Sequence, residues 1–209
     1  LIEENNMPSG YSGKILRINL TSGLIESQSY DEKFYRMYLG GGGIGTYFLL
    51  KETDEKTTPL SPENVLTIAP GLTTGPAVSG VSRCSVTSLS PETGAVGDTQ
   101  AGGYLGPFLK RSGYDAVVIT GKSEKKCYLY IDENIVEIRD AAEYSDLTIL
   151  DARNLFVKNL GTNKISVLQC GPAGEKLVSF ANLASDLNNY YGRTGMGAVF
   201  GSKNLRAVV

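Results

Sequence analysis

The chain has 209 residues, of which 41% are apolar and 20% are charged, as in an ordinary soluble globular protein. A net charge of −2 gives no sign of the strongly basic character that is typical of nucleic-acid-binding proteins, and no apolar run approaches the roughly 18 residues that a membrane-spanning helix needs. The polar and acidic residues 1–10 predict a flexible tail rather than a secretory signal. We therefore expect a cytoplasmic protein that binds neither nucleic acid nor membrane.

In the first half of the chain, apolar residues in short runs bounded by turn residues predict five strands. These strands cover residues 14–20, 24–30, 65–69, 82–88 and 116–120. Three helices are predicted between them, over residues 31–39, 44–52 and 102–112. Asp31 is of a residue type that caps helices, and the glycine run 40–43 predicts an interruption between the first two helices.

In the second half, the same signals predict five more strands and two helices. The strands cover residues 127–131, 135–139, 165–169, 177–183 and 205–209, of which 177–183 has an ambiguous pattern that favours a strand. One helix covers residues 147–160, and the other opens after Gly192 and ends near Ser202.

The two halves repeat a similar order of elements, which indicates an internal duplication. Residues 106–118 align with residues 197–209 at a shift of 91 positions. We therefore predict an internally duplicated α+β fold, with two similar lobes of β-sheets and helices, 11–122 and 123–209, about a pseudo-twofold axis. A ligand on that axis would meet one glycine-rich loop from each lobe.

The absence of histidine excludes Ser-His-Asp catalysis and imidazole metal sites. The three cysteines, Cys84, Cys127 and Cys170, are spaced 43 residues apart, and this odd count without a CxxC motif indicates a reducing compartment. They fall in predicted strands, which favours buried core thiols over metal ligands. A [4Fe–4S] cluster usually needs a compact run of cysteines, which this sequence lacks.

Glycine is abundant, and the first of three clusters matches a nucleotide-binding pattern. Gly40, Gly42 and Gly45 form a GxGxxG motif. The residues before it predict a helix rather than a strand, and no βαβ unit with a suitably placed acidic residue follows. We therefore favour a tight bend between two helices over a dinucleotide site.

The other two clusters cover residues 94–104 and 188–197. The first of them runs into a predicted helix, whose free amides suit an anion, although a simple turn is the favoured interpretation of this cluster alone. The other contains Arg193, and Arg83 is the lone charge in a predicted strand. The two arginines suit two phosphate groups, and structural ion pairs are an equal alternative. Tyr190 and Tyr191 would line a cavity or cover the loop.

Several motifs in the same order are similar to the N-terminal domain of aldehyde ferredoxin oxidoreductases, over roughly residues 11–209. The motifs are LSPENVL (60–66), GGYLG (102–106), GYDAVVITGK (113–122), GPAGE (171–175) and GRTGMGAVFGSKNLRAVV (192–209). The resemblance implies that two pyranopterin dithiolenes hold one tungsten or molybdenum atom, with a magnesium ion bridging their phosphates. This tungstopterin or molybdopterin cofactor would sit on the present domain.

The resemblance also implies partners outside this sequence. Helical domains toward the C-terminus of the same protein would supply the [4Fe–4S] cysteines and further pterin contacts. The whole enzyme would oxidise a small aldehyde to a carboxylic acid and pass the electrons to ferredoxin, and a homodimer is an open alternative. The isolated domain would be inactive, because it holds no cluster ligands and only part of the pterin shell.

Matched to the family residue by residue, seven positions fall at the cofactor: Arg83, Gln100, Gly102, Asn189, Tyr190, Gly192 and Arg193. The resemblance implies that Gln100 and Tyr190 face the magnesium ion through their backbone carbonyls. Asn189 and Tyr190 stand where the family usually has arginine and alanine. Two alternatives stay open, a non-catalytic phosphate- or nucleotide-binding module and a degenerate paralogue without cofactor, and Asn189 and Tyr190 are the features that keep the second one open.

Overall fold

The computed structural model describes residues 10–209. The tail predicted over residues 1–10 lies outside the described residues except for Gly10, and the lobe limits predicted from the sequence stay a prediction. Within the described residues, no helix combines the length and the apolar character that crossing a membrane requires.

The first repeat contains six strands and three helices. They are β1 (Lys14–Asn19), β2 (Leu24–Ser29), α1 (Glu32–Tyr38), α2 (Gly42–Glu52), β3 (Leu66–Pro70), β4 (Cys84–Leu89), β5 (Val96–Ala101), α3 (Leu105–Arg111) and β6 (Ala116–Thr120). Asp31 caps α1 as predicted, because its carboxylate accepts a hydrogen bond from the Phe34 amide at 2.9 Å.

The second repeat contains the other six strands. Its elements are β7 (Cys127–Ile131), β8 (Val136–Asp140), a short 3-10 helix (Ala142–Tyr144), α4 (Ile149–Leu160), β9 (Leu168–Cys170), α5 (Pro172–Glu175), β10 (Leu183–Ser185), β11 (Asn189–Tyr191), α6 (Met196–Ser202) and β12 (Leu205–Val208). Gly161 ends α4 in the left-handed conformation that favours glycine.

The strand orders confirm the duplicated α+β fold. One sheet has the order β2-β1-β6-β3-β4-β5, and the other has the order β8-β7-β12-β9-β10-β11. In both sheets a hairpin is followed by one parallel pair and then by three antiparallel pairs. Each strand of the first repeat therefore has an equivalent in the second, six strands later in the chain.

The two sheets share one apolar core and each carries helices on its outer face. In β6, Val117 belongs to the core between the sheets, whereas Val118 packs in the cluster under α1 and α2. In β7, Leu129 points to the central core, and Tyr128 contacts Phe156 of α4 with ring centroids 5.1 Å apart. This alternation between the faces of each strand produces a helix–sheet–sheet–helix arrangement.

The first glycine cluster forms the tight bend that the sequence predicts. Gly40 and Gly41 join α1 to α2 and both have positive φ, 153° and 53°. Gly45 lies inside α2, where a Cβ would overlap the Thr87 side chain of β4. The glycines therefore let α2 pack closely on the sheet, and the helix before them is the wrong context for a dinucleotide-binding turn.

The prediction for residues 94–104 is wrong in one respect. Residues 96–101 form strand β5, and α3 begins at Leu105 rather than at Gly102. The strand was missed because two of the three residues on its buried face are Gly97 and Thr99, which carry no apolar alternation.

Two predictions in the second repeat also fail. The strand predicted over residues 177–183 begins only at Leu183, and a short helix, α5, lies before it at Pro172–Glu175, where no element was predicted. Residues 189–191, predicted as loop, form β11. Strands of three residues, such as β10 and β11, are too short to show a period of two, so the sequence pattern does not reveal them.

Candidate functional site

The edge strands β5 and β11 of the two sheets lie against each other where the repeats meet. The backbone amide of Arg193, just after β11, donates to Thr99 Oγ1 of β5 at 3.4 Å. A Cβ built on Gly97 of β5 would lie 2.5 Å from Met196 Cε, so a glycine is needed for this approach. The turns that follow the two strands therefore meet at one edge of the molecule.

The strand registers show which residues are equivalent at this edge. Ala101 ends β5 and Tyr191 ends β11, each opposite the first residue of the neighbouring strand. One position earlier, Gln100 is therefore equivalent to Tyr190. These are the two residues for which the resemblance implies backbone contacts to one ion, and they occupy the same place in the two repeats.

An open cleft of about 510 Å³ lies at this edge and is lined by both repeats. Five of the seven predicted site residues line it: Arg83, Gln100, Gly102, Asn189 and Tyr190. The other two, Gly192 and Arg193, are exposed in the turn that follows β11 and do not line this cleft. The structure thus brings five predicted residues together and places the remaining two on a neighbouring turn.

Arg83 and Arg193 differ from the other arginines in having unengaged side chains. Within residues 10–209, their guanidinium groups contact no carboxylate, hydrogen-bond acceptor or aromatic ring, and both residues are exposed. The other six arginines each make such a contact: Arg17, Arg36, Arg111, Arg139, Arg153 and Arg206. The ion pairs that the sequence left as an alternative are absent from the described chain, and both charges are available to a ligand.

The backbone of Arg83 is held firmly although its side chain is exposed. Its carbonyl accepts hydrogen bonds from the Gly71 amide at 3.1 Å and from Thr74 Oγ1 at 2.6 Å. These bonds tie the start of β4 to the loop after β3. The position of the Arg83 guanidinium group at the cleft is therefore limited mainly by its own side-chain rotamers.

The side chain of Gln100 is turned toward its own sheet. Its amide nitrogen Nε2 donates to Asp98 Oδ2 at 3.0 Å, and Asp98 Oδ1 accepts from Thr87 Oγ1 at 2.9 Å. This engagement fits a residue whose backbone, rather than its side chain, serves the cleft. No group of three or more cysteine, aspartate or glutamate residues within 10–209 is arranged to hold a metal ion, so a metal at this cleft would need backbone carbonyls and ligand oxygens.

A family model described as aldehyde ferredoxin oxidoreductase, N-terminal domain, matches residues 15–209. The chain belongs to this family. Tungsten-containing aldehyde ferredoxin oxidoreductases from Thermococcus kodakarensis and Pyrococcus furiosus are 42% and 43% identical to it over 95% of its length, which is 33% of each relative. The resemblance inferred from the motifs is thereby confirmed.

Two further matches have different names. The WOR-like subunit of an aliphatic sulfonate oxidoreductase from Pyrococcus furiosus is 35% identical over 95% of this chain and 34% of its own length. The solved active-site complex BamBC of benzoyl coenzyme A reductase, in complex with 1,5-dienoyl-CoA, superposes with a TM-score of 0.92 at 35% identity, over 95% of this chain and 30% of that one. The chain thus spans about a third of the length of the curated relatives it matches.

In this aldehyde ferredoxin oxidoreductase domain, the two adjacent tyrosines have different surroundings. Tyr190 is 51% exposed at the cleft, and its hydroxyl donates to the Leu187 carbonyl at 3.1 Å. Tyr191 is fully buried, and its ring belongs to the core between the sheets. Only Tyr190 therefore lines the cavity, whereas Tyr191 supports the strand beneath it.

The three cysteines are free and buried, which confirms the prediction of core thiols. Burial raises the pKa of Cys84 to about 12 and that of Cys170 to about 11. Burial also raises the pKa of Cys127. A thiol that stays protonated is a poor metal ligand and nucleophile, so the cysteines serve packing rather than chemistry.

Several residues that line the cleft were not among the seven predicted site residues: Gly80, Ser82, Ala101, Gly103 and Asn188. Gly103 and Ser82 adjoin predicted residues, so a search of the neighbours of Gly102 and Arg83 would have found them. Gly80 belongs to the loop between β3 and β4, and it carried no local signal. That loop reaches the cleft only through the tertiary fold.

The cleft fits a phosphate-bearing cofactor by three observations on its residues. Two guanidinium groups, that of Arg83 in the cleft and that of Arg193 on the neighbouring turn, have no partner among residues 10–209. The Gly102–Gly103 turn allows close backbone approach, since a Cβ on Gly102 would lie only 3.2 Å from Ser82 Oγ. Gln100 and Tyr190 occupy equivalent positions in the two repeats, so each repeat offers a backbone carbonyl at the matching place.

Proposed function

We propose that this domain binds a bis-pterin tungsten or molybdenum cofactor in an oxidoreductase that oxidises aldehydes to carboxylic acids. One observation carries the proposal: within residues 10–209, the guanidinium groups of Arg83 and Arg193, one from each repeat, contact no carboxylate or hydrogen-bond acceptor and lie beside two equivalent glycine turns. Two similar pterins carry two similar phosphates, so a duplicated domain with one cation in each half suits them. The names of the tungsten-containing relatives support the choice of metal.

Six of the seven predicted residues have a direct role in the proposed complex. Arg83 and Arg193 bind the phosphates, and Gly102 and Gly192 let the backbone approach the pterins. A magnesium ion between the phosphates would meet two backbone carbonyls, those of Gln100 and Tyr190. Their equivalence in the two repeats supports a position on the pseudo-twofold axis.

The rest of the enzyme supplies what this chain lacks. When bound, the metal would take up two electrons as the aldehyde becomes a carboxylic acid, and a [4Fe–4S] cluster in C-terminal helical domains would pass them singly to ferredoxin. The present domain orients the cofactor and offsets its charge. We place the enzyme in the cytoplasm, because three free buried thiols suit a reducing compartment.

The first test is the composition and activity of the full-length protein. We expect one tungsten or molybdenum atom and two pterins per chain, measured by elemental analysis and by fluorescence of the oxidised pterins, together with aldehyde-dependent reduction of a dye. Full-length protein that purifies with neither metal nor pterin would contradict the proposal. That result would favour the phosphate-binding module or the degenerate paralogue.

The second test asks whether the two free arginines hold the cofactor. Arg83→Gln and Arg193→Gln should each lower the tungsten retained after dialysis by about tenfold, the loss expected for one charge-assisted hydrogen bond. Arg36→Gln is the matched control, since Arg36 is exposed on α1 and its ion pair among residues 10–209 is with Glu32 of the same helix. Equal retention in all three variants would argue against the assigned phosphate contacts.

A further inference from the structure

The turn after β5 is covered by a residue of the other repeat. Gly103 has a φ of +96°, and a Cβ built on it would lie 2.6 Å from Asn189 Nδ2 and 2.9 Å from Asn189 Cγ. Asn189 therefore packs directly on the backbone of Gly103. A residue with a side chain at position 103 would have to displace this amide.

The turn after β11 is supported in the reciprocal way. The amide of Arg193 donates to Thr99 Oγ1 of the first repeat at 3.4 Å. Thr99 lies two positions before the end of β5, and Asn189 lies two positions before the end of β11. The two supporting residues are therefore equivalent, and so are the turns that they support, although one contact is a hydrogen bond and the other is close packing.

This reciprocity gives Asn189 a different part from the one that the resemblance implies. Asn189 is half-buried, and its amide lies against Gly103. The exposed cations at this edge are Arg83 and Arg193, so a neutral side chain at position 189 still leaves one arginine for each phosphate.

We propose that Thr99 and Asn189 are a reciprocal pair of positioning residues, each of which holds the ligand-facing turn of the opposite repeat in place. This inference rests on the proposed function for the purpose of the pair, which is that ordered turns would hold the two pterin sites in matching positions. Which turn each side chain holds in place does not depend on whether a pterin binds.

Hydrogen exchange of backbone amides in the full-length protein tests for a crossed pattern, in which a substitution in one repeat speeds exchange in the turn of the other repeat. Thr99→Val should speed exchange of the Arg193 amide by about tenfold, because it removes the acceptor. Asn189→Ala should speed exchange over residues 102–104 by about threefold. Each variant should leave the turn of its own repeat at the wild-type rate, and Thr99→Ser should restore protection because it retains the hydroxyl.

Thr67→Val is the matched control, since the buried hydroxyl of Thr67 on β3 has no hydrogen-bond partner among the described residues. Thr67→Val should change the rate of amide exchange in neither turn. Faster exchange in both turns with every variant, the control included, would show general loosening and overturn the proposal. Unchanged exchange over residues 102–104 in Asn189→Ala would overturn it as well.

The same experiment separates this inference from the proposed function. Protein produced without tungsten and molybdenum can be compared with protein that contains metal. A crossed pattern in a protein that never binds pterin would support the positioning pair and contradict the cofactor assignment. Protein with full metal and pterin content but no crossed pattern would support the cofactor assignment and contradict the positioning pair.

Discussion

The two repeats share one strand order but place their charges at different positions. In the first repeat the free cation, Arg83, precedes β4, whereas the equivalent position before β10 is Asn182. In the second repeat the free cation, Arg193, follows Gly192, whereas Gly103 follows Gly102 in the first. A duplicated backbone can therefore keep two similar turns while its side chains make the two halves chemically distinct.

The repeats also differ in how their last helices pack. β4 and β5 pair over six residues each, whereas β10 and β11 pair over three. In the second repeat α6 lies against the backbone of α5 and of residues 181–182, where a Cβ on Gly197 would overlap the Asn182 carbonyl oxygen. In the first repeat a Cβ built on the equivalent Gly106 would lie 2.8 Å from Thr74 Cγ2, and the nearest backbone atom, the Ser82 carbonyl oxygen, would be 3.3 Å away. Short strands are thus accompanied by tighter backbone contact.

The largest expected effect tests this difference in packing. Gly197→Ala should lower the free energy of unfolding by about 3 kcal/mol or more, because a methyl group would strike backbone that cannot rotate away. Gly106→Ala, its partner at a shift of 91 positions, should cost about 1–2 kcal/mol, because side chains can adjust. Urea denaturation of the full-length protein measures both, and equal losses would contradict the comparison.

A smaller effect is expected where the last helix of each repeat ends. Lys203 follows α6, is fully buried, and donates to the carbonyls of Pro62 and Gly121 at 3.0 and 3.1 Å, so it joins the repeats. Lys203→Met should cost about 2–3 kcal/mol, because two carbonyls lose their partner. Ser112, which follows α3, bonds only within its own helix, and Ser112→Ala should cost under about 1 kcal/mol in the same assay.

The same lysine should make stability depend on pH. Burial lowers the pKa of Lys203 to about 8, from an ordinary value of 10.5. Between these values the unfolded chain binds the proton more strongly, so the free energy of unfolding rises with pH from about 8 to 10.5, by on the order of 2 kcal/mol. Subtracting the curve of Lys203→Met from that of the wild type isolates this rise, and a flat or falling difference would refute it.

The smallest effect concerns the last residues of the two edge strands, Ala101 and Tyr191. The Tyr191 hydroxyl is buried and has no hydrogen-bond partner among the described residues, although the Cys84 thiol lies near it. Tyr191→Phe should therefore change the free energy of unfolding by less than about 1 kcal/mol. A larger loss would show that the hydroxyl is a structural link between the repeats.

Much of the fold was accessible from local signals. Strand patterns, the Asp31 cap and the glycine bend after α1 were predicted correctly, because neighbouring residues encode them. β5 and β11 were missed because the buried face of β5 carries Gly97 and Thr99 and β11 has only three residues, although each pairs with the strand just before it in the chain. The edge where the repeats meet was therefore the part of the fold that local patterns described least well.

The candidate site was predicted in part for the same reason. Five of the seven positions taken from the family resemblance line one cleft, but pattern alone left Arg83 and Arg193 balanced between ligand contacts and ion pairs. Which acids lie near an arginine depends on strands far away in the chain. The contact between Asn189 and Gly103 was likewise not predictable from local sequence patterns, because 86 positions separate the two residues.

By itself, the sequence determined the duplicated order of strands and helices, the family, and the residue types available for binding, because short-range periodicity and ordered motifs encode these properties. Only the tertiary structure decided that β5 and β11 meet, that two arginines remain unpaired in the described chain, and that each repeat supports the turn of the other. Those features arise from contacts between residues about 90 positions apart, which local patterns do not record.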